Sequence, residues 1–291
     1  PFPGDPRVSR RVSRRPARRL LLPLALLALG ATALGAHDFW LVPDAFQVAP
    51  GGEVVVRGQT SSTFPTSESA VALDRVASAE LIDAAGRTAL KNLSHAGPSL
   101  MIRQRVSQAA GQRLVTMTLH PRTVRESPES FRRYLVLEGA PEALARYERD
   151  GLLPTDSITR RYAKYAKTLV EVGRGGPRVF SQLAGHPAEF VPLSDPKGLK
   201  AGDTLAVRVL FQGQPVPGAR MHAGTAPHGG SHHDADFVAD AQGIARIPIV
   251  AAGVWNVRAL HIVPAPRGSG ADWDVHWLTL VFQVDGGHAG H

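Results

Sequence analysis

Turn-forming residues interrupt this 291-residue chain throughout. Its 29 glycines and 23 prolines leave little room for long helices, which argues against a helical bundle or coiled coil. Between them run short apolar stretches, some alternating and some continuous, the pattern of strands. The chain is therefore expected to be mainly β, with two β-sandwich domains of immunoglobulin or prealbumin type and a helical insert between them. Hydrophobic residues at 43% and charged residues at 20% fit a globular protein, not a disordered one. Cysteine is absent, which removes disulfides, thiolate metal ligands, a cysteine nucleophile and a lipid-bearing N-terminal cysteine.

The formal charge of +8 divides unevenly. Residues 1–36 hold Arg7, Arg10, Arg11, Arg14, Arg15, Arg18 and Arg19 against Asp5, six of the eight positive charges. The body keeps only two, so a basic nucleic-acid-binding face is not expected. The arginines precede an apolar run at 20–29 and then small residues at 30–36, the order of a secretory signal. The apolar run is short for a membrane span. A periplasmic protein follows, with membrane contact only through this segment if it stays uncleaved. Cleavage after Gly35 has the better small-residue pattern. Cleavage after Ala36 makes His37 the mature N-terminus, placing an amine and an imidazole on one residue as a ready metal chelate.

Five segments are expected: a signal at 1–36, an N-terminal β domain at 37–126, a helical insert and linker at 127–185, a C-terminal β-sandwich at 186–285 and a His-containing tail at 286–291. Ser127-Pro128 reads as a helix cap followed by proline in the first turn, and Pro141 begins a second helical pattern. Ile158, Tyr162, Tyr165, Ala166 and Leu169 recur at helical spacing, which places Arg160, Arg161, Lys164 and Lys167 on a solvated side. In the second half, Leu205, Val207, Val209 and Phe211 alternate as in a half-buried strand.

A hairpin near the C-terminus carries the sharpest local argument. Strands at 254–263 and 273–284 each have an apolar face. The register that opposes Ala259 to Leu278, Val257 to Leu280 and Trp255 to Phe282 also opposes His261 to His276. Opposed Cβ atoms lie about 4.5–5.5 Å apart, close enough for two imidazoles to share a metal ion. Two buried, hydrogen-bonded structural histidines are the plainer alternative. A second cluster holds His222, His228, His232 and His233 with Asp234 and Asp236 in Gly-rich sequence, a pattern for loose metal capture. The third element is the opening His37-Asp38-Phe39-Trp40. His288 and His291 could act like the loop histidines, while His95, His120 and His186 read as structural or surface residues. No Gly-x-Ser-x-Gly, phosphate loop or His-Glu-x-x-His occurs, so a binding protein is expected ahead of an enzyme.

Several segments in order carry a family resemblance: Ala36-His37-Asp38-Phe39-Trp40-Leu41, Phe131 to Gly139 with Tyr134 and Glu138, and Arg161-Tyr162 to Gly173 with Lys164. They continue with Gly202-Asp203 through Ala219, Asp240 to Gly243, and Gly253-Val254-Trp255 to His261. The chain resembles the periplasmic domain-of-unknown-function 4198 family, which includes components associated with nickel and cobalt uptake. The resemblance implies an exported β protein in transition-metal handling, with His37 and His261 on the family's histidine positions. His276 rests on the hairpin argument alone, and the loop histidines are not carried over from the family.

The expectation is a periplasmic protein that binds a divalent transition metal and delivers it to an inner-membrane metal permease. Nickel or cobalt stands ahead of copper or zinc. His37, His261 and His276 would form the tighter site, with His222, His228, His232 and His233 as a capture arm. The alternatives are a copper carrier or enzyme built on an N-terminal histidine chelate, and a metal-free envelope interaction module.

Overall fold

The computed structural model describes residues 37–138, 140–150, 156–226 and 235–285. The expected signal at 1–36, His228, His232, His233 and the tail with His288 and His291 lie outside the described residues. The first half contributes β1 (Asp38–Pro43), β2 (Gln47–Val48), β3 (Glu53–Ser61), β4 (Val76–Asp83), β5 (Gly86–Ala89), β6 (Leu93–Ala96), β7 (Ser99–Arg105) and β8 (Gly111–Glu126). Two helices follow, α1 (Pro128–Leu137) and α2 (Pro141–Asp150), and then the long strand β9 (Ile158–Val172). The second half holds β10 (Ala188–Pro192), β11 (Thr204–Phe211), β12 (Gln214–Pro215), β13 (Arg220–Thr225), β14 (Ala235–Val238), β15 (Ile244–Pro248), β16 (Gly253–Pro264) and β17 (Trp273–Val284).

The fold is mainly β with a small helical insert. Its frame is a nine-stranded sheet ordered β14-β13-β16-β17-β9-β8-β4-β5, with β2 paired to β9. Two four-stranded sheets cover it. The sheet β1-β3-β7-β6 packs Phe39, Leu41, Val54, Val56 and Leu100 against Val115, Met117, Ala166 and Val170. The sheet of β10, β11, β12 and β15 packs Phe190, Leu205, Val207 and Val209 against Val257, Leu278 and Leu280. Strand alternation shows that these two layers lie on opposite faces. Even-numbered β9 residues meet the first layer and odd-numbered ones, such as Ala163 and Tyr165, meet the second. Two sandwiches are thus present, built on one shared sheet.

The helical reading of 158–169 is overturned. Those residues are β9, hydrogen-bonded to β8 on one side and to β17, in parallel, on the other. A central strand covered on both faces loses its two-residue alternation. The apolar positions of its two faces merge into a spacing that mimics a helix. Three of the four basic residues are correspondingly not solvated: Arg160 is 3% exposed, Lys164 5% and Lys167 3%, while Arg161 is half-buried. Arg160 pairs with Glu126 and Lys167 with Glu189, while Arg161 makes a two-pronged contact with Asp274 at 2.8 Å.

The helical part of the insert is α1 and α2. The Ser127 hydroxyl caps α1 by accepting from the Ser130 N–H at 3.1 Å, with Pro128 in the first turn. The helix buries Phe131, Tyr134 and Leu135 against Trp273, Val275 and Trp277 of β17. Phe131 stacks on Trp273 with centroids 6.2 Å apart. The insert therefore shields the same sheet face as the β1 layer.

Candidate functional site

The hairpin of β16 and β17 has the register expected from its apolar faces. Trp255 opposes Phe282, Val257 opposes Leu280, Ala259 opposes Leu278, and His261 opposes His276. The two imidazole centroids are 6.4 Å apart. Phe211 of β11 packs against both, at 4.5 Å from His261 and 4.9 Å from His276. The Tyr165 hydroxyl lies 3.2 Å from His276 Nδ1. Burial pushes both imidazoles down to about 4, so they are neutral at pH 7. For His276 the neighbouring His261 adds to the effect of burial. His261 also lines a cleft of about 190 Å³ whose walls include Ala140, Ala143, Val216 and Ile262. Nearby, His186 is held down to about 3 by burial and by Lys167 and Arg87, and its Nε2 lies 2.6 Å from the Thr116 hydroxyl.

His37 lies on the other face. Its carbonyl accepts a hydrogen bond from Lys164, an even-numbered residue of β9 that reaches toward the insert side. The expected convergence of His37 with His261 and His276 is therefore corrected: the shared sheet separates them. Hairpin register determines the pairing of His261 with His276. It says nothing of the chain's opening, because β1 pairs with β3 in a different sheet. His37 Nε2 is 3.4 Å from Glu68 Oε2. Its Nδ1 is buried and has no hydrogen-bond partner among the described residues, and the same holds for Asp38 Oδ1.

A group of buried charges surrounds this end. Arg258 of β16, 4% exposed, stands between two carboxylates, 3.6 Å from Asp38 and 3.6 Å from Glu138. Burial raises the Asp38 carboxyl, opposed by Arg258 and Lys164. Burial, helped by Asp38, raises Glu138 to about 7. Burial lowers Lys164 to about 8, against the pull of Asp38. Lys164 also sits 5.5 Å from the Trp277 ring centroid, and Arg160 lies 4.1 Å from that of Tyr134. Titrating groups displaced toward neutrality in a buried cluster mark a candidate functional site. Sequence reading missed Asp38, Glu138 and Arg258. For Asp38 in β1 and Arg258 in β16 the available signal was a charge within an otherwise apolar strand; Glu138, just past the end of α1, carried none.

His222, a cross-strand neighbour of Arg258, shares that face. Its Nδ1 is 2.6 Å from Asp236 Oδ1, an arrangement that fixes the ring and leaves Nε2 as the acceptor or ligand of the neutral imidazole. Burial and Arg258 lower its pKa, and Asp236 opposes them. Among the described residues, no three histidine, aspartate or glutamate side chains are grouped to hold a metal ion.

The family described as a domain of unknown function (DUF4198) matches residues 34–263, and the chain belongs to it. No curated protein matches. Among solved structures, the D0-D1 domain of intimin is 12% identical over 85% of this chain and 98% of its own, with a TM-score of 0.21. The Escherichia coli adhesin FdeC is 15% identical over 84% of this chain and 63% of its own, with a TM-score of 0.24. The titin domains Z1Z2 in complex with telethonin are 12% identical over 86% and 97%, with a TM-score of 0.18. At such scores the likeness carries no argument about this chain.

Proposed function

We propose that this chain is an exported, periplasmic protein that binds a divalent transition metal at His37. The supporting observation is the buried His37 Nδ1, which has no hydrogen-bond partner among the described residues, next to the equally unpartnered Asp38 Oδ1. A polar atom buried without a partner is costly, and a ligand that fills it recovers that cost. Cleavage after Ala36 would free an amine beside this nitrogen and complete a two-nitrogen chelate. Asp38 and Glu68 supply the negative charge that a dication needs. Nickel or cobalt as cargo, and an inner-membrane permease as recipient, are what the family resemblance implies. His261 and His276, on the opposite face of the sheet, lie outside this proposed site.

Copper is the second reading, because an amine and imidazole pair on one residue binds Cu(II) ahead of Ni(II), Co(II) and Zn(II). Intact mass of protein recovered from the periplasm tests the chelate, with His37 expected as the first residue. Metal content of the same protein, purified without metal-affinity chromatography, should show one nickel, cobalt or copper ion. In equilibrium dialysis, His37→Ala should lose the ion. An empty native protein would favour a metal-free envelope module, and unchanged binding by His37→Ala would remove the site.

A further inference from the structure

The hairpin histidines face a setting different in charge from that of His37. Burial alone acts on the His261 imidazole. Around His276, Asp274 and Arg161 act with opposite signs and are bonded to each other. Two neutral nitrogen ligands thus stand beside one carboxylate, Asp274, which is already compensated by Arg161. A buried ion's desolvation cost grows steeply with its charge, so a dication would be poorly compensated there.

We propose that His261 and His276 form a two-coordinate site for a soft monovalent d10 cation, with Cu(I) and Ag(I) as the chemical class. The imidazole centroids are 6.4 Å apart. Two ring radii and two collinear metal–nitrogen bonds of about 2 Å span such a distance. The three centroid distances among His261, His276 and Phe211 place the midpoint between the imidazoles about 3.4 Å from the Phe211 ring centre. That is within reach of a cation–π contact, which stabilises a cation without needing an anion. The Tyr165 hydroxyl engages His276 Nδ1 and assigns Nε2 as the ligating nitrogen. Binding involves no electron transfer. The site is independent of His37, which lies across the sheet.

The test is a titration of the metal-free full chain with Ag(I), a redox-inert probe, followed through the ring nitrogens by 1H–15N NMR. The first equivalent should shift His261 and His276 together, and equimolar Zn(II) should leave both in place. His261→Gln and His276→Gln should each weaken Ag(I) binding by about 100-fold or more. Tyr165→Phe should weaken it by about 10-fold, the usual effect of removing a ligand's supporting hydrogen bond. Cu(I) kept reduced with ascorbate should reproduce the pattern, and His37→Ala should not alter it. The proposal is overturned if the first Ag(I) equivalent shifts other imidazoles and leaves these two unmoved. It is equally overturned if Zn(II) shifts them as strongly as Ag(I). The wild-type spectra decide the matter even if a variant fails to fold.

Discussion

On one face of the nine-stranded sheet, His37 sits among Asp38, Glu138, Lys164 and Arg258. On the other, His261 and His276 pack against Phe211 and Tyr165. Both groups are shielded from water, yet the first lies within a cluster of buried titrating groups, while the charges acting on His276, Asp274 and Arg161, are bonded to each other. The layer above the sheet makes this difference. The β1 layer and the insert bring a helix end, Glu138, and the opening of β1, Asp38, onto Arg258. The β11 layer brings a phenylalanine. Under the two proposals, identical ligand atoms would serve different cations, a dication beside carboxylates and a monocation beside an aromatic ring.

The largest effect should come from breaking the charged face. Arg258→Leu leaves Asp38 and Glu138 buried together without their shared cation, and should cost about 3–5 kcal/mol in chemical denaturation. A cost below 1 kcal/mol would show that these carboxylates are protonated or solvated, erasing the contrast between the faces.

The next effect is pH dependence, which should have opposite signs on the two faces. His261 and His276 titrate at about 4 in the fold, against about 6.5 when exposed. Between those values the unfolded chain binds more protons, so their contribution is full above pH 6.5 and lost as pH falls to 4. Each is worth roughly 3 kcal/mol. Glu138 runs the other way. Its folded value of about 7, against about 4.5 unfolded, makes its contribution fall as pH rises from 4.5 to 7. Unfolding free energies measured from pH 4 to 7 should rise less steeply in wild type than in Glu138→Gln. They should flatten in His261→Gln with His276→Gln. The same slope in all three proteins would contradict the assignment.

Smaller effects sharpen the picture locally. Tyr165→Phe should cost about 1 kcal/mol through its lost hydrogen bond to His276. Ser127→Ala should cost a similar ~1 kcal/mol by uncapping α1. Because α1 ends at Glu138, that change should also move the pH profile of the charged face and leave the hairpin imidazole NMR signals in place. Movement of both would mean that the sheet transmits the change.

The sequence made the hairpin legible because each of its strands carries one continuous apolar face, so a single register satisfies both. Ser127-Pro128 likewise foretold the start of α1. Strand β9 was misread because burial on both faces removes alternation. Its Arg160, Lys164 and Lys167 look solvent-seeking until their partners Glu126, the His37 carbonyl and Glu189 are placed in space. Those partners are 34, 127 and 22 residues away. The charged site was illegible for the same reason: Asp38, Glu138 and Arg258 come from the chain's opening, the insert and the hairpin. No local pattern reveals that Arg258 joins them, or that β1 settles on the face away from His261.

The two proposed cation sites, placed on opposite faces of the sheet, make one direct demand on metal binding. Ni(II) affinity of mature protein should be measured for wild type, His37→Ala, His261→Gln and the double variant. The account predicts that His37→Ala loses nickel, that His261→Gln binds as wild type does, and that the double variant behaves as His37→Ala. A loss in His261→Gln as large as that in His37→Ala would contradict it, because the two imidazoles would then have to serve one ion.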